Sequence, residues 1–170
     1  MLMSLCCENE KIINDYLKNN LNSYGELRYA CMIMNKDNPD EFYPITNYSK
    51  QWVDIYKINS YQRIDPIILA ATTTASPFSW DDDRVLNLRL QHPALFNLAE
   101  YYNIIHGHTF VLHDQYNHLA TLSLTIGKGE SKAFDAIIQQ HKACFQMLLI
   151  KTHDLMLSFL HANATPTQHP

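Results

Sequence analysis

None of the four cysteines is spaced as CxxC, and adjacent Cys6 and Cys7 cannot readily bridge each other. That pattern excludes a disulfide framework and points to a reduced, cytoplasmic protein. Lysine and arginine are scattered with no basic run, and the net charge is −4. This segment is therefore not expected to grip nucleic acid, which needs a clustered positive surface. No stretch approaches the roughly 20 apolar residues of a membrane-spanning helix, so no membrane partner is expected. Met1 to Cys7 is apolar but lacks a basic n-region and a cleavage site, which argues against a signal peptide. No internal repeat is visible. The nucleophile elbow GxSxG is missing and no Ser/His/Asp set is readable, so no catalytic residue is expected. Gly127-Lys128-Gly129 is too short for a phosphate loop and reads as a turn.

What the chain does have is apolar bulk: 46% of its 170 residues are hydrophobic and only 18% charged, the composition of one folded domain. Ile12, Ile13, Tyr16 and Leu17 predict a helix over 8–20. Residues 28–35 and 42–46 read as strands joined through Lys36-Asp37-Asn38-Pro39-Asp40, a hairpin. Ser49 is placed to cap a helix running to about residue 60, with Trp52, Ile55, Tyr56 and Asn59 on one face. Asp65-Pro66 suits the start of a short helix through Ala71, Asp as cap and Pro in the first turn. A loop follows through Pro77, then an irregular stretch from Trp80, then a helix over 96–102. Residues 109–113 and 120–126 predict a second hairpin. From 132 to about 160 the spacing predicts one long helix or two in succession. The set describes an α+β fold, an α-β-α three-layer sandwich around an antiparallel sheet of about five strands.

Aromatic residues and one carboxylate concentrate between Tyr48 and Trp80. Trp and Tyr suit a small-molecule pocket because each joins a broad apolar face to one directed polar group. Aromatics at helical spacing are nonetheless more often core, and Asp before Pro is more often a cap than a ligand contact. His106, His108, His113 and His118 cluster in sequence, but His108 and His113 fall on opposite faces of a strand. No carboxylate or cysteine completes a ligand spacing there, so no metal is expected. Asp81 to Asp83 reads as a solvated loop or helix start.

Trp52, Tyr56, Asp65-Pro66, Trp80 and Gly107 stand in an order and spacing that resembles the LuxR-type autoinducer-binding domains, over nearly the whole chain. The segments 63–68, 76–81, 102–107 and 110–114 are similar to the enterobacterial receptors for short-chain signals. The resemblance implies a binding domain, not an enzyme, with no cofactor and an N-acyl homoserine lactone as ligand, 3-oxo-hexanoyl or similar. It implies that Trp52 donates to the lactone carbonyl, Asp65 accepts the amide N–H, and Tyr48 donates to the amide carbonyl. Ser123 would lie near the amide and first acyl carbons, with Tyr56, Tyr61 and Trp80 as apolar walls. Gly107 is expected to permit close packing and Pro66 to start its helix. Val53 and Ile67 stand where some relatives carry arginine and threonine, so a charged contact to a 3-oxo group is not expected. Bulky Ile67 and Ile68 favour a short pocket. The resemblance further implies a homodimer through the long C-terminal helix. Residues 1–161 would form the binding domain and 162–170 the start of an interdomain linker. The family's helix-turn-helix domain, which would carry promoter DNA binding, is absent from these residues. The competing readings are a lactone-hydrolysing enzyme, with Asp65 as base, and an interaction domain of the same fold that binds no ligand.

Overall fold

The computed structural model describes residues 5–126 and 131–162. Helix α1 (Cys7–Leu21) leads into β1 (Arg28–Asn35) and β2 (Phe42–Thr46), followed by α2 (Lys50–Ile58) and α3 (Pro66–Ala71). Then come β3 (Phe78–Ser79), α4 (Asp83–Gln91), α5 (Pro93–Tyr101), β4 (His106–His113), β5 (His118–Ile126) and α6 (Ser131–Ala162). The five strands form one antiparallel sheet in the order β2-β1-β5-β4-β3. The turn read at Gly127-Lys128-Gly129 and, apart from its first residue, the linker read at 162–170 lie outside the described residues.

Strand β1 alternates poorly in sequence because both of its faces are covered. Tyr29, Cys31 and Ile33 of β1 enter a core beneath α1 and α6, while Met32 and Met34 enter a second core beneath α2 to α5. Strand β5 divides differently. Leu122 and Leu124 join the α6 side, whereas buried Thr121, Ser123 and Thr125 face the other way. A central strand thus carries a row of buried hydroxyls on one face.

Two elements depart from the sequence expectation. The stretch expected to be a loop or irregular contains β3 and the nine-residue α4. β3 is two residues long and exists only through pairing Phe78 with Thr109 and Ser79 with His108, so it has no period to read. In α4, Leu86, Leu88 and Leu90 alternate like a strand. Only Val85 is buried, and Asp82 starts the helix by accepting from the Arg84 N–H at 3.0 Å. By length and composition α6 could cross a bilayer, against the expectation that no segment could. Phe134, Ile138, Phe145, Leu149, Met156 and Leu160 bury its apolar side in the core, as in any long core helix. It bends at His141, where the backbone leaves helical angles.

The β4–β5 turn is tied to α6 by a buried carboxylate. Asp114 Oδ2 accepts from His118 Nδ1 and His153 Nε2, both at 2.8 Å, and Oδ1 accepts the Tyr116 and His118 backbone N–H groups. Burial alone would raise the Asp114 pKa, but these donors hold it below the usual range. Burial lowers His153, whose Nδ1 has no hydrogen-bond partner and would bury an unpaired proton if charged. Both groups contribute stability that is present above their unfolded pKa values and lost as pH falls through the folded ones. Thermal stability should therefore fall as pH drops below about 6.5, the ordinary histidine value. His153→Gln should flatten that first part of the profile while leaving the further decline below the ordinary carboxylate range, to which Asp114 contributes.

Candidate ligand-binding site

Between the second face of the sheet and helices α2 to α5 lies a cavity of about 120 Å³. That is room for on the order of ten waters, or for one small organic molecule. Its floor includes Thr121 and Ser123 of β5, its walls Tyr48, Trp52 and Tyr56, and its far end Trp80, Leu95 and Phe96.

Local sequence explains how each polar group is aimed. Ser49 caps α2 by accepting from the Trp52 N–H at 3.2 Å, and the helix then presents Trp52 and Tyr56 on its buried side. Ser60 takes a left-handed φ of 51°, turning the chain so that Asp65 can cap α3. Asp65 Oδ1 accepts the Ile67 N–H at 2.9 Å and Oδ2 accepts the Tyr56 hydroxyl at 2.7 Å. The cap reading and the cavity reading of Asp65 are thus compatible, since one carboxylate has about four acceptor positions. Burial raises the Asp65 pKa, opposed by the Tyr56 hydroxyl, the Ile67 N–H and the positive charge of Arg89. Tyr56 is itself pushed well above the phenol range, first by burial and then by the adjacent carboxylate.

The other polar groups pair with one another. Tyr48 Oη meets Thr125 Oγ1 at 2.7 Å, and burial pushes its pKa up to about 12. Trp80 Nε1 donates to Thr109 Oγ1 at 2.9 Å, which meets Ser123 Oγ at 2.8 Å. The Trp52 indole N–H has no hydrogen-bond partner among the described residues, although the ring is buried against Tyr56 and Tyr102.

Of the residues expected from sequence, Tyr48, Trp52, Tyr56, Asp65, Trp80 and Ser123 line this one cavity, as do Pro66, Ile67 and Ile68. Tyr61 is corrected: it is not on the wall but stacks edge-on behind Tyr56, centroids 5.9 Å apart. Gly107 sits in β4, where an added Cβ would lie 2.7 Å from the Leu124 carbonyl oxygen and 3.0 Å from the Trp80 ring.

Sequence reasoning missed Thr109, Thr125 and Arg89. The alternation Thr121-Leu122-Ser123-Leu124-Thr125 was a readable signal for a polar inner face. Arg89 was not readable, because its guanidinium comes from the unrecognised α4. It donates to the Ile105 carbonyl at 3.1 Å and lies over Phe96 and Trp80, with centroids at 5.2 and 6.0 Å. The cavity therefore has one cationic side chain among its lining residues. The expectation that no carboxylate accompanies the histidines is corrected too: α6 brings Asp135 against His106 and His108.

Comparison with known proteins places this geometry in context. Residues 9–156 match the family model described as autoinducer binding domain. The chain is 47% identical over 160 residues to the transcriptional activator protein ExpR of Dickeya dadantii (strain 3937). It is 46% identical, also over 160 residues, to the transcriptional activator protein EchR of Dickeya chrysanthemi. Each match covers 92% of this chain and 64% of the relative, so the chain spans a little under two thirds of their length. Among solved structures, Escherichia coli SdiA superposes with a TM-score of 0.63 at 17% identity, covering 95% of this chain and 66% of that one. The N-acylhomoserine lactone dependent factor CepR2 of Burkholderia cenocepacia gives 0.62 at 16% identity, covering 91% and 99%. At those identities the two structures speak to the fold alone, and they share it.

Proposed function

The chain belongs to the autoinducer-binding domain family, whose relatives named above are transcriptional regulators rather than enzymes, and from that premise we propose that its cavity binds a short-chain N-acyl homoserine lactone. The observation that carries this reading is the polar set around one cavity. The Trp52 indole N–H is unspent, Asp65 has acceptor positions left, and the Tyr48 hydroxyl can donate inward while accepting from Thr125. Two donors and one acceptor in an aromatic box complement a neutral molecule with two carbonyls, one amide N–H and an apolar tail. Trp52 would donate to the lactone carbonyl, Asp65 accept the amide N–H, and Tyr48 donate to the amide carbonyl. Tyr56, Trp80, Ile67 and Ile68 would enclose the ligand, with Ser123 beside the first acyl carbons. The head is read by hydrogen bonds and the tail by volume, each methylene contributing about 0.8 kcal/mol.

In this reading the protein is cytoplasmic and homodimeric, with the outer side of α6, where Met147 is exposed, as the contact. Residues up to 161 are the sensing unit and 162–170 begin a linker. Occupancy of the cavity is passed to promoter DNA through sequence beyond these 170 residues.

Thermal unfolding of the domain against a panel of acyl homoserine lactones tests the proposal. A ligand at 100 times its Kd should stabilise by about 2.7 kcal/mol, a rise of roughly 5–10 °C for a domain of this size. The response should peak at an acyl chain of about six to eight carbons, where added methylenes stop gaining burial. A flat response from well-folded protein would reject lactone binding and favour a ligand-free interaction domain. Light scattering on the same samples reads the dimer.

A further inference from the structure

We propose that His106, His108 and Asp135 form a transition-metal site, suited to Zn²⁺, that fastens the start of α6 to the back of β4. The proposal is independent of lactone binding. His106 and His108 are two residues apart on one strand, so both imidazoles leave the same face of the sheet, opposite to the cavity. Asp135, near the start of α6, faces them. Its Oδ1 lies 2.9 Å from His106 Nε2 and 2.7 Å from His108 Nε2, and the three ligand atoms all fall within 4.8 Å of one another.

Two imidazole nitrogens and a carboxylate oxygen converging on one point are the donor set that borderline metals prefer over Mg²⁺ or Ca²⁺. A tetrahedral ion with ligands at about 2.0–2.1 Å needs its donors somewhat over 3 Å apart. The two Asp135–histidine spacings would have to open by about half an ångström, and Asp135, with its side chain 42% exposed, is free to give it. The same exposure leaves an entry path and a fourth position for water.

The surroundings suit a held ion. His106 Nδ1 faces Asp81 Oδ2 at 3.3 Å, an outer carboxylate of the kind that fixes the tautomer of a ligating imidazole. The buried Phe134 ring packs against both imidazoles, with centroids at 5.8 and 5.6 Å, and keeps that side dry. Gly107 and Thr109, the residues interleaved with the two histidines, meet Trp80 on the opposite face. An ion behind β4 would therefore stiffen the strand that positions one wall of the cavity.

Titration of the untagged, lactone-free chain with Zn²⁺, and with Co²⁺ as a visible probe, tests the site. The expected result is one equivalent bound, a rise in unfolding temperature reversed by EDTA, and a Co²⁺ spectrum of tetrahedral nitrogen and oxygen ligation. His106→Gln and Asp135→Asn each keep hydrogen-bonding capacity and remove one ligand. Each should weaken binding by more than the roughly 10–100-fold typical of losing an outer partner. Absence of Zn²⁺ binding at micromolar metal would overturn the proposal, leaving His106 as a side chain held between Asp81 and Asp135. Binding undiminished in both variants, or thiolate absorption in the Co²⁺ spectrum, would also overturn it by moving the metal to the exposed Cys6 and Cys7.

Discussion

Gly107→Val should destabilise this domain strongly. The added carbons would start 2.7 Å from the Leu124 carbonyl oxygen, a backbone atom on the paired strand, and 3.0 Å from the Trp80 ring. Trp80 is held in turn by its bond to Thr109, so neither neighbour yields without breaking something. Overpacking of a filled core costs about 1–3 kcal/mol and sometimes more, and the backbone contact puts this case at the upper end. The melting temperature should drop by about 6–12 °C. Combining Gly107→Val with Trp80→Phe should recover only part of that loss, since the Leu124 carbonyl remains. Full recovery in the double variant, measured by thermal unfolding, would show that the ring alone demands the glycine.

The second large effect separates binding from folding. Asp65→Asn should weaken lactone binding by about 10–100-fold, because a hydrogen bond to a buried charged acceptor contributes about 1.5–3 kcal/mol. The empty domain should be little harmed. Asparagine caps a helix as well as aspartate does, so α3 keeps its start. Burial raises the Asp65 pKa, so the empty fold holds the charged carboxylate less well than water does. Its contribution to stability is complete below the ordinary carboxylate value and is lost as pH rises through the raised one. The amide removes that titration, and the empty variant should match or exceed the parent in stability near pH 7. Calorimetric titration with the best lactone and an unfolding profile against pH check the two halves. Unchanged affinity in the variant would remove Asp65 from the ligand contacts.

Much of this architecture could be read before any coordinates, because it rests on local rules. The strands at 28–35 and 42–46 were bounded by turn residues and filled with β-formers. Ser49 and Asp65-Pro66 announced their helices through side chains that cap and a ring that fits only a first turn. The elements that escaped reading owe little to local sequence. β3 is defined by its partner β4, and α4 carries leucines that alternate as a strand would, with Leu86 and Leu90 turned outward.

The site divides in the same way. Trp52, Tyr56, Asp65 and Trp80 announced themselves by residue type, by spacing and by resemblance to a known family. Sequence by itself determined most of the helices and strands and a cluster of aromatics around one carboxylate. Tertiary structure decided which groups meet. It sent Tyr61 behind Tyr56, brought Arg89 from α4 into the cavity, and set Asp135 against two histidines about 27 residues away in the chain. Capping, turns and periodicity act over a few residues and are written in the chain itself. Contacts across a sheet depend on register and on the path of distant helices, which are fixed only when the two cores close.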